Sequence, residues 1–287
     1  MHKEHPQKLE AALYVVATPI GNLRDITLRA LDVLGAADVI AAEDTRNTAH
    51  LLSHHGIRAN KLIAAHQHNE RGAAEKIIGL LQAGQSVAFV SDAGTPAVSD
   101  PGALLVQAVW AAGLRVIPIP GASAALAALS AAGLNESQFL FYGFLPNKSA
   151  ARRTVLHALS NHPYSLVFYE APHRIVECVA DLCEVLGGER KIVLAREITK
   201  LFETIHICAL GEAQAWLMSD SNQQRGEFVV LVSGAMPQQG LSVETRHILE
   251  VLLNELPLKQ AVQLATQISG ASRNEIYQLA LQKKSTE

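Results

Sequence analysis

The sequence predicts an α/β protein with a parallel sheet, followed by a mixed-sheet α/β region and a short helical C-terminal region. Apolar runs of strand length alternate with helical patterns through the first half, whereas strands predominate beyond Gln138. Strand–helix alternation is typical of parallel strands covered by helices. The expected domains are residues 11–121, 122–234 and 241–287, with a linker of turn-forming composition at Ser233–Gly240.

Five apolar runs in the first half predict the strands of the parallel sheet: Leu13–Ala17, Val39–Ala42, Leu62–Ala65, Val87–Val90 and Val116–Ile119. Helices are expected at Ile26–Leu34, capped by Gly35, at Arg71–Ala83, and from an Asp100-Pro101 start. Polar and glycine-rich clusters follow the strands. Ligands bind at the carboxyl ends of strands in open α/β sheets, so we expect a binding site along that edge.

Five further runs predict the mixed sheet: Phe139–Tyr142, Leu166–Tyr169, Ile192–Ala195, Glu203–His206 and Phe228–Leu231. Helices are expected near Ala151–Leu159 and Ile175–Leu186, and three short helical patterns close the chain. The pair between Leu258 and Leu281 has the shape of a helix-turn-helix. Acidic and basic residues are equally numerous from residue 241 onward, so we do not predict DNA recognition from it.

Composition excludes several protein classes. Hydrophobic residues make up 49% of the 287 positions, which is incompatible with a disordered chain. Three cysteines without a CxxC pair predict a reduced, cytoplasmic protein rather than a disulfide scaffold. The N-terminus does not resemble a signal peptide. The uncharged stretch Val116–Asn135 contains Pro118, Pro120 and Gly121, which favours a strand, a loop and a helix over a membrane span.

Charge and motif searches narrow the chemistry further. A net charge of −3 argues against a nonspecific nucleic-acid binder, so any RNA contact must rest on a local basic patch. The chain contains no GxGxxG after its first strand, no GxxxxGK[ST] and no GxSxG. It is rich in histidine in one region, but no HExxH or Cys/His cluster accompanies those residues, and we expect no metal site. These histidines are His50, His54, His55, His66 and His68.

Three segments at the expected edge are poorly explained as ordinary loops. Ser91–Pro96 and Pro120–Ala125 carry small residues at strand ends, where the backbone can approach a ligand closely. Glu43–Arg46 places two carboxylates beside one guanidinium.

The segments TPIGNLRDIT, AAEDTR, SDAGTP, DPG, PIPGASA, FYEAPHR and AREITK occur in this order. Together they resemble the tetrapyrrole (class III) methylase superfamily and, within it, ribosomal RNA enzymes that methylate a cytidine ribose 2′-oxygen. The resemblance covers nearly the whole chain from about Leu13. It implies a two-domain tetrapyrrole-methylase-like fold, a homodimer, and S-adenosylmethionine as methyl donor in the cleft between domains. The implied substrate is 16S ribosomal RNA, alone or in the assembled small ribosomal subunit.

By motif position, the resemblance implies that ten residues contact the methyl donor: Pro19, Gly21, Asp92, Ala93, Gly94, Thr95, Ser123, Ala124, Tyr169 and Glu227. The acceptor hydroxyl is weakly acidic and would gain from a group that takes its proton. The catalytic candidates are Glu43 and Asp44 as proton acceptors, Arg46 as the residue that holds them or the RNA phosphate, and Lys200, with Glu170, Arg174 and Glu203 as further possibilities. RNA phosphates would meet Lys148, Arg152 and Arg153, although a solvated helix face explains these three equally well.

Two alternatives remain open from the sequence. A methylase of a small tetrapyrrole would need a pocket for a macrocycle and would not need the C-terminal helices. A non-catalytic helix-turn-helix protein would use the α/β region as a ligand sensor. Removal of the residues after Gly234 would abolish nucleic-acid binding by such a sensor and leave its ligand site intact.

Overall fold

A computed structural model describes residues 8–66, 70–235, 241 and 243–284. The chain divides into two compact units, Met1–Gly234 and Ala235–Glu287. The first contains both sheets and the second contains three helices. His68 and residues 236–240 of the expected linker lie outside the described residues. The further division of the first unit at residue 121 stays a prediction.

The first sheet is formed by β1 (Leu13–Val16), β2 (Val39–Ala42), β3 (Leu62–Ala64), β4 (Val87–Val90) and β5 (Val116–Ile119). Its order is β3-β2-β4-β1-β5, and all pairs are parallel, which confirms the predicted sheet. Between and after the strands lie α1 (Leu28–Ala36), α2 (Thr45–His54), α3 (Glu70–Gln82), α4 (Ala103–Ala111) and α5 (Ala124–Ala131). Every residue of the central strands β2 and β4 is buried, as expected between two helical layers.

Two predicted helix ends were wrong. Helix α1 continues through Gly35 to Ala36, so this glycine is not its cap. Helix α4 begins after Gly102 rather than at Asp100. Gly102 has φ +125°, and a Cβ there would lie 2.4 Å from Cε1 of Phe89. Ser99 also has a positive φ, so the chain cannot be helical at this point and Asp100 is left facing the sheet edge.

The second sheet is formed by β6 (Phe139–Phe144), β7 (Ser165–Glu170), β8 (Lys191–Arg196), β9 (Thr204–Ala209) and β10 (Phe228–Val232). Its order is β6-β7-β10-β8-β9. The β6–β7 pair is parallel and the others are antiparallel, so the predicted mixed sheet is confirmed. Its helices are α6 (Ser149–Leu159), α7 (Ile175–Leu186) and α8 (Leu210–Ser219), the last of which was not predicted.

The uncharged stretch after β5 is explained by helix α5. Its residues Ala125 and Ala128 pack on Val167, Val193 and Leu231 of the second sheet. Alanine side chains allow a helix to lie close to a sheet, and no polar group is needed on that face. Among the described residues, no helix is both long enough and apolar enough to cross a membrane.

The second unit consists of α9 (Val243–Glu255), α10 (Leu258–Ser269) and α11 (Arg273–Lys284). Their small core includes Leu249, Val262 and Ile276. Gly270 ends α10 in the left-handed conformation, and its N–H donates to the carbonyl of Thr266 at 3.0 Å. The three predicted C-terminal helices are therefore present.

Replacing Gly79 by Ala is expected to raise the free energy of unfolding by about 0.5–1 kcal/mol, since Ala restricts the unfolded chain and favours helix. Gly79 lies inside α3, and a Cβ there would meet no atom within 4 Å. Gly84 is the matched control, because its Cβ would also meet nothing but its φ is +79°. Denaturant unfolding should show Gly79→Ala stabilised and Gly84→Ala destabilised. Equal changes in the free energy of unfolding for the two variants would contradict the conformational argument.

Candidate functional site

The loops that follow β1, β4 and β5 are joined at the carboxyl edge of the first sheet. The N–H of Thr18 donates to the carbonyl of Gly94 at 2.8 Å, and the N–H of Gly94 donates back at 3.1 Å. The hydroxyl of Thr95 donates to the carbonyl of Ala122 at 3.1 Å. Segments that are separated by up to about a hundred positions along the chain therefore form one surface, as the strand-end argument predicted.

A first cavity of about 330 Å³ lies between this edge and the second sheet. Seven of the predicted donor-binding residues line it: Ala93, Gly94, Thr95, Ser123, Ala124, Tyr169 and Glu227. Lys200 also lines it, together with Asp100, Phe144 and Glu197, which the sequence analysis did not single out as site residues. The rings of Phe144 and Tyr169 meet edge to face with centroids 5.7 Å apart. They give the cavity an aromatic wall.

A second cavity of about 280 Å³ adjoins the first. The other three predicted donor-binding residues, Pro19, Gly21 and Asp92, line this second cavity and not the first. Helix α2 contributes Asn47 and His50 to it. Four residues line both cavities: Ile20, Ala93, Lys200 and Glu227. The predicted donor site thus divides into two compartments with a shared wall.

The loop between β4 and α4 has an unusual backbone. Gly94 and Gly102 have positive φ, and so do the non-glycine residues Ala97 (65°) and Ser99 (62°). Such conformations are held only where surrounding contacts determine them. Glu70 provides one such contact, because its Oε1 accepts from the N–H groups of Gly102, Leu104 and Leu105 at 3.0–3.2 Å. Sequence reasoning missed Glu70, which lies more than thirty positions from its partners.

Asp100 is the titratable group of the first cavity with the clearest shift. Burial raises the pKa of its carboxyl to about 6, and the negative charge of Glu43 adds to the increase. A hydrogen bond with Ser91 acts in the opposite direction. The carboxyl therefore changes charge close to neutral pH. The sequence did contain a signal, the DPG motif, but its Asp was interpreted as a helix cap.

The Glu43–Arg46 cluster lies beside the second cavity, and none of its predicted catalytic residues is among the residues that line either cavity. Both carboxylate oxygens of Asp44 accept from the side chain of Arg46, at 3.2 and 2.7 Å. These bonds lower the pKa of Asp44 to about 2. Asp44 also caps α2 through the N–H of Arg46, so its carboxylate is occupied.

Asp92 connects this cluster to the second cavity. Its Oδ1 accepts from the N–H of Asp44 and its Oδ2 accepts from Nδ2 of Asn47, both at 3.1 Å. Its own N–H donates to Oε2 of Glu43 at 3.3 Å. The Asp92 carboxylate therefore has a fixed orientation at the N-terminal end of α2.

Lys200 is held between two carboxylates. Its Nζ lies 2.8 Å from Oε1 of Glu197 and 2.7 Å from Oε2 of Glu227. Burial lowers the pKa of Lys200, but these two hydrogen bonds outweigh it and raise the pKa above its ordinary value. Lys200 is therefore a cation at neutral pH and is not a proton acceptor. Its neighbour Thr199 accepts from the N–H of Asn22 at 3.2 Å, which ties this loop to the first sheet.

The predicted RNA-binding residues separate in the structure. The prediction for Arg152 was wrong, because its side chain is 1% exposed and lies 2.6 Å from the buried carboxylate of Asp181. Arg153 is paired with Asp181 at 2.7 Å and with Glu184 at 2.6 Å. Lys148 is exposed ahead of α6. Only Lys148 of the three has no ion pair in the described part of the chain.

The histidine-rich region was expected to hold no metal. Within the described ranges, no group of three or more His, Cys, Asp or Glu side chains is placed to hold one. His68 lies outside those ranges. The three cysteines are free thiols.

Comparison with known proteins adds to this geometry. Residues 12–214 match the model of the tetrapyrrole (corrin/porphyrin) methylases. Residues 239–284 match the model described as the RsmI C-terminal HTH domain.

Curated relatives are similar over nearly their whole length. A protein of Pseudomonas aeruginosa named ribosomal RNA small subunit methyltransferase I is 53% identical over 275 residues, covering 95% of this chain and 97% of the relative. Its namesake in Neisseria meningitidis serogroup B is 50% identical and covers 99% of both chains.

Solved structures share the fold at lower identity. The methyltransferase CobJ has a TM-score of 0.60 and 22% identity, covering 79% of this chain and 96% of that one. Uroporphyrin-III C-methyltransferase of Thermus thermophilus, complexed with S-adenyl homocysteine, has a TM-score of 0.54 and 18% identity, covering 77% and 97%.

Proposed function

This chain belongs to the tetrapyrrole methylase family and, within it, to the group of relatives named ribosomal RNA small subunit methyltransferase I, and from this premise we propose its reaction. It transfers a methyl group from S-adenosylmethionine to the ribose 2′-hydroxyl of a cytidine in 16S ribosomal RNA. The observation that carries this proposal is the pair of cavities that share a wall. Methyl transfer requires the acceptor oxygen about 3–3.5 Å from the methyl carbon and in line with its bond to sulfur, so donor and acceptor must occupy adjoining sites.

The first cavity suits the methyl donor, which supplies a methyl group activated by a positively charged sulfur. Small side chains at Gly94 and Ser123 leave backbone accessible, and Tyr169 offers an aromatic face. The carboxylate of Asp100 complements a cation. A volume of about 330 Å³ lies within the range of small-ligand sites.

The second cavity would take the acceptor nucleotide. Asn47, His50 and Asp92 offer hydrogen-bonding groups there, and Leu23 offers an apolar surface. A nucleotide must be unpaired to enter such a site, so recognition of a folded RNA assembly fits better than recognition of duplex RNA. The alternative substrate, a small tetrapyrrole, is less well supported because the relatives that match nearly full length are named as ribosomal RNA enzymes.

The proposal extends to partners and location. We infer that the assembled small ribosomal subunit is the partner, and that the exposed Lys148 is an RNA contact. A cytoplasmic homodimer is also proposed. It is supported by exposed apolar side chains beside β9, where Leu201 is 90% exposed and Phe202 is 67% exposed. Light scattering on purified protein tests the dimer.

The direct test uses purified full-length protein, radiolabelled S-adenosylmethionine and small ribosomal subunits from a strain that lacks the enzyme. The expected result is label on one cytidine, resistant to alkaline cleavage because its 2′-oxygen is blocked. A parallel reaction with deproteinised 16S RNA shows whether the assembled subunit is required. Donor binding without transfer to either substrate would contradict the RNA proposal.

Lowering the pH from about 7.5 to about 5 is expected to weaken S-adenosylmethionine binding by about three- to tenfold, since one partly screened charge contributes roughly 1 kcal/mol. Asp100 has a pKa of about 6, so it is charged above that pH and attracts the cationic donor. Titration calorimetry measures the affinity. Asp100→Asn should remove most of the pH dependence of this affinity. The affinity for S-adenosylhomocysteine, whose sulfur is neutral, should depend less on pH.

The same carboxyl gives a stability prediction. Its folded-state pKa is raised, so its contribution to stability is present below its ordinary value of 3.8 and is lost as pH rises through about 6. Asp100→Asn should therefore melt at a higher temperature than the unaltered protein at neutral pH. An unchanged pH dependence of donor binding in this variant would contradict the assignment to Asp100.

A further inference from the structure

We propose that Asp92 accepts the proton of the acceptor hydroxyl during methyl transfer, an inference that rests on the proposed function. The family motif implied a donor-binding role for Asp92. The structure instead places it on the second cavity, next to Ala93, which lines both cavities. A carboxylate at this position reaches the acceptor side of the shared wall.

The hydrogen bonds of Asp92 orient its carboxylate without using all of its acceptor positions. Each carboxylate oxygen accepts one hydrogen bond, from the N–H of Asp44 and from Nδ2 of Asn47. A carboxylate has about four acceptor positions in total, so each oxygen keeps one free. Asp92 is also an exposed side chain, which leaves these positions accessible to a ligand in the second cavity. A fixed and accessible carboxylate is what a proton acceptor requires.

The neighbouring candidates are less suitable. Both oxygens of Asp44 are bound by Arg46, and its pKa of about 2 makes it a weak base. Lys200 is protonated. Glu43 is outside the lining of both cavities, and its Oε2 accepts from the N–H of Asp92. His50 does line the second cavity, so the test below includes it.

The chemical step balances without any further reactant. The hydroxyl oxygen of the ribose forms a bond to the methyl carbon while the carbon–sulfur bond breaks, and the electron pair of that bond stays on sulfur. The hydroxyl becomes acidic as its oxygen bonds to carbon, and its proton passes to the Asp92 carboxylate and then to water.

The first experiment compares full-length Asp92→Asn with the unaltered protein. In single-turnover methylation of small subunits, the variant's rate is expected to fall by about 100-fold or more. Its dissociation constant for S-adenosylhomocysteine, measured by calorimetry, should change by less than about threefold, because Asp92 does not line the first cavity. A loss of S-adenosylhomocysteine binding would overturn the proposal in favour of the motif-based donor role.

A second variant separates chemistry from structure. Asn47→Asp/Asp92→Asn exchanges the partners and keeps one amide and one carboxylate in contact. A merely structural pair would recover its melting temperature and its rate together. We expect recovery of the melting temperature without recovery of the rate, because the carboxylate now lies on α2.

Three further outcomes would overturn the role of Asp92. They are a rate for Asp92→Asn within about fivefold of the unaltered protein, rescue of the rate by the exchange, or a larger loss in His50→Gln than in Asp92→Asn. These outcomes leave the proposed function intact as long as the unaltered protein labels the small subunit. Failure of the unaltered protein to label it would instead contradict the proposed function itself.

Discussion

Replacing Asp181 by Asn is expected to lower the free energy of unfolding by about 3–5 kcal/mol, because it removes the nearest counter-charge of a buried guanidinium. The next carboxylate, that of Glu177, lies 4.0 Å away and is 79% exposed. Arg152 and Asp181 have side chains that are 1% and 4% exposed, and their charged groups lie 2.6 Å apart. Water cannot reach the buried Arg152 guanidinium to compensate for the lost negative charge. The loss is therefore larger than that of a surface ion pair.

Asp181 has further partners that make its charge important. It accepts hydrogen bonds from Ser149 at 3.0 Å and from Arg153 at 2.7 Å, in addition to Arg152. Burial raises the pKa of Asp181, but these hydrogen bonds outweigh it and hold the pKa below its ordinary value of 3.8. Its stabilising contribution is therefore present above that value and is lost as pH falls through the lowered pKa.

Denaturant unfolding at neutral pH measures the effect of Asp181→Asn. Glu184→Gln is the matched control, because Glu184 also binds Arg153 at 2.6 Å but is 58% exposed, and it should change stability by no more than about 0.5 kcal/mol. The double replacement Arg152→Met/Asp181→Leu should recover most of the loss. A loss below about 1 kcal/mol for Asp181→Asn would show that Arg152 finds another counter-charge.

Replacing Gly21 by Val is expected to reduce the rate of methyl transfer on the order of 100-fold or more, because displacement of a reacting group by about 1 Å has effects of this size. A Cβ on Gly21 would lie 2.5 Å from Cγ of Lys200 and 2.9 Å from Oγ1 of Thr199. Lys200 cannot turn aside freely, since Glu197 and Glu227 hold its Nζ. The loop must therefore move, and the wall between the cavities moves with it.

A double-mutant cycle checks this cause. In a Lys200→Ala background, Gly21→Val should reduce the rate less than in the unaltered protein, because the nearest atom, Cγ of Lys200, is gone and only Oγ1 of Thr199 at 2.9 Å remains close to the new Cβ. The rate of methyl transfer by Gly21→Ala should lie between those of the unaltered protein and Gly21→Val. The melting temperature should change little, since Gly21 is exposed on a loop. Equal losses with and without Lys200 would contradict the steric explanation.

The sequence predicted the elements whose cause is local. Apolar runs bounded by polar clusters defined Val39–Ala42 and Val87–Val90 with the bounds found in the structure. Asp100 was misinterpreted because Gly102 has φ +125°, which is outside the helical region, and its backbone lies too close to the ring of Phe89 for any residue with a Cβ. Arg152 was assigned to the surface because its partner Asp181 lies on another helix.

The site was predictable as a set of residues but not as an arrangement. Seven of the ten predicted donor-binding residues line the first cavity and the other three line the second, whereas Asn47, Phe144 and Glu197 were not predicted. Lys200 is one of the residues that line both cavities, and it reaches from a loop of the second sheet to Gly21 of the first. A contact across about 180 positions has no periodic signature in the chain. Helix α8 was missed for a related reason: it begins directly at the end of β9, without an intervening turn signal.

The shared wall has a thermodynamic consequence. Lys200 and Glu227 contact both cavities, so a ligand that shifts this ion pair from one side alters the affinity of the other side. Such coupling is reciprocal, and each ligand must change the other's affinity by the same factor. The donor and the RNA would therefore each change the affinity of the protein for the other. The demethylated donor has lost its positive charge, so it would change the affinity for RNA by a different factor.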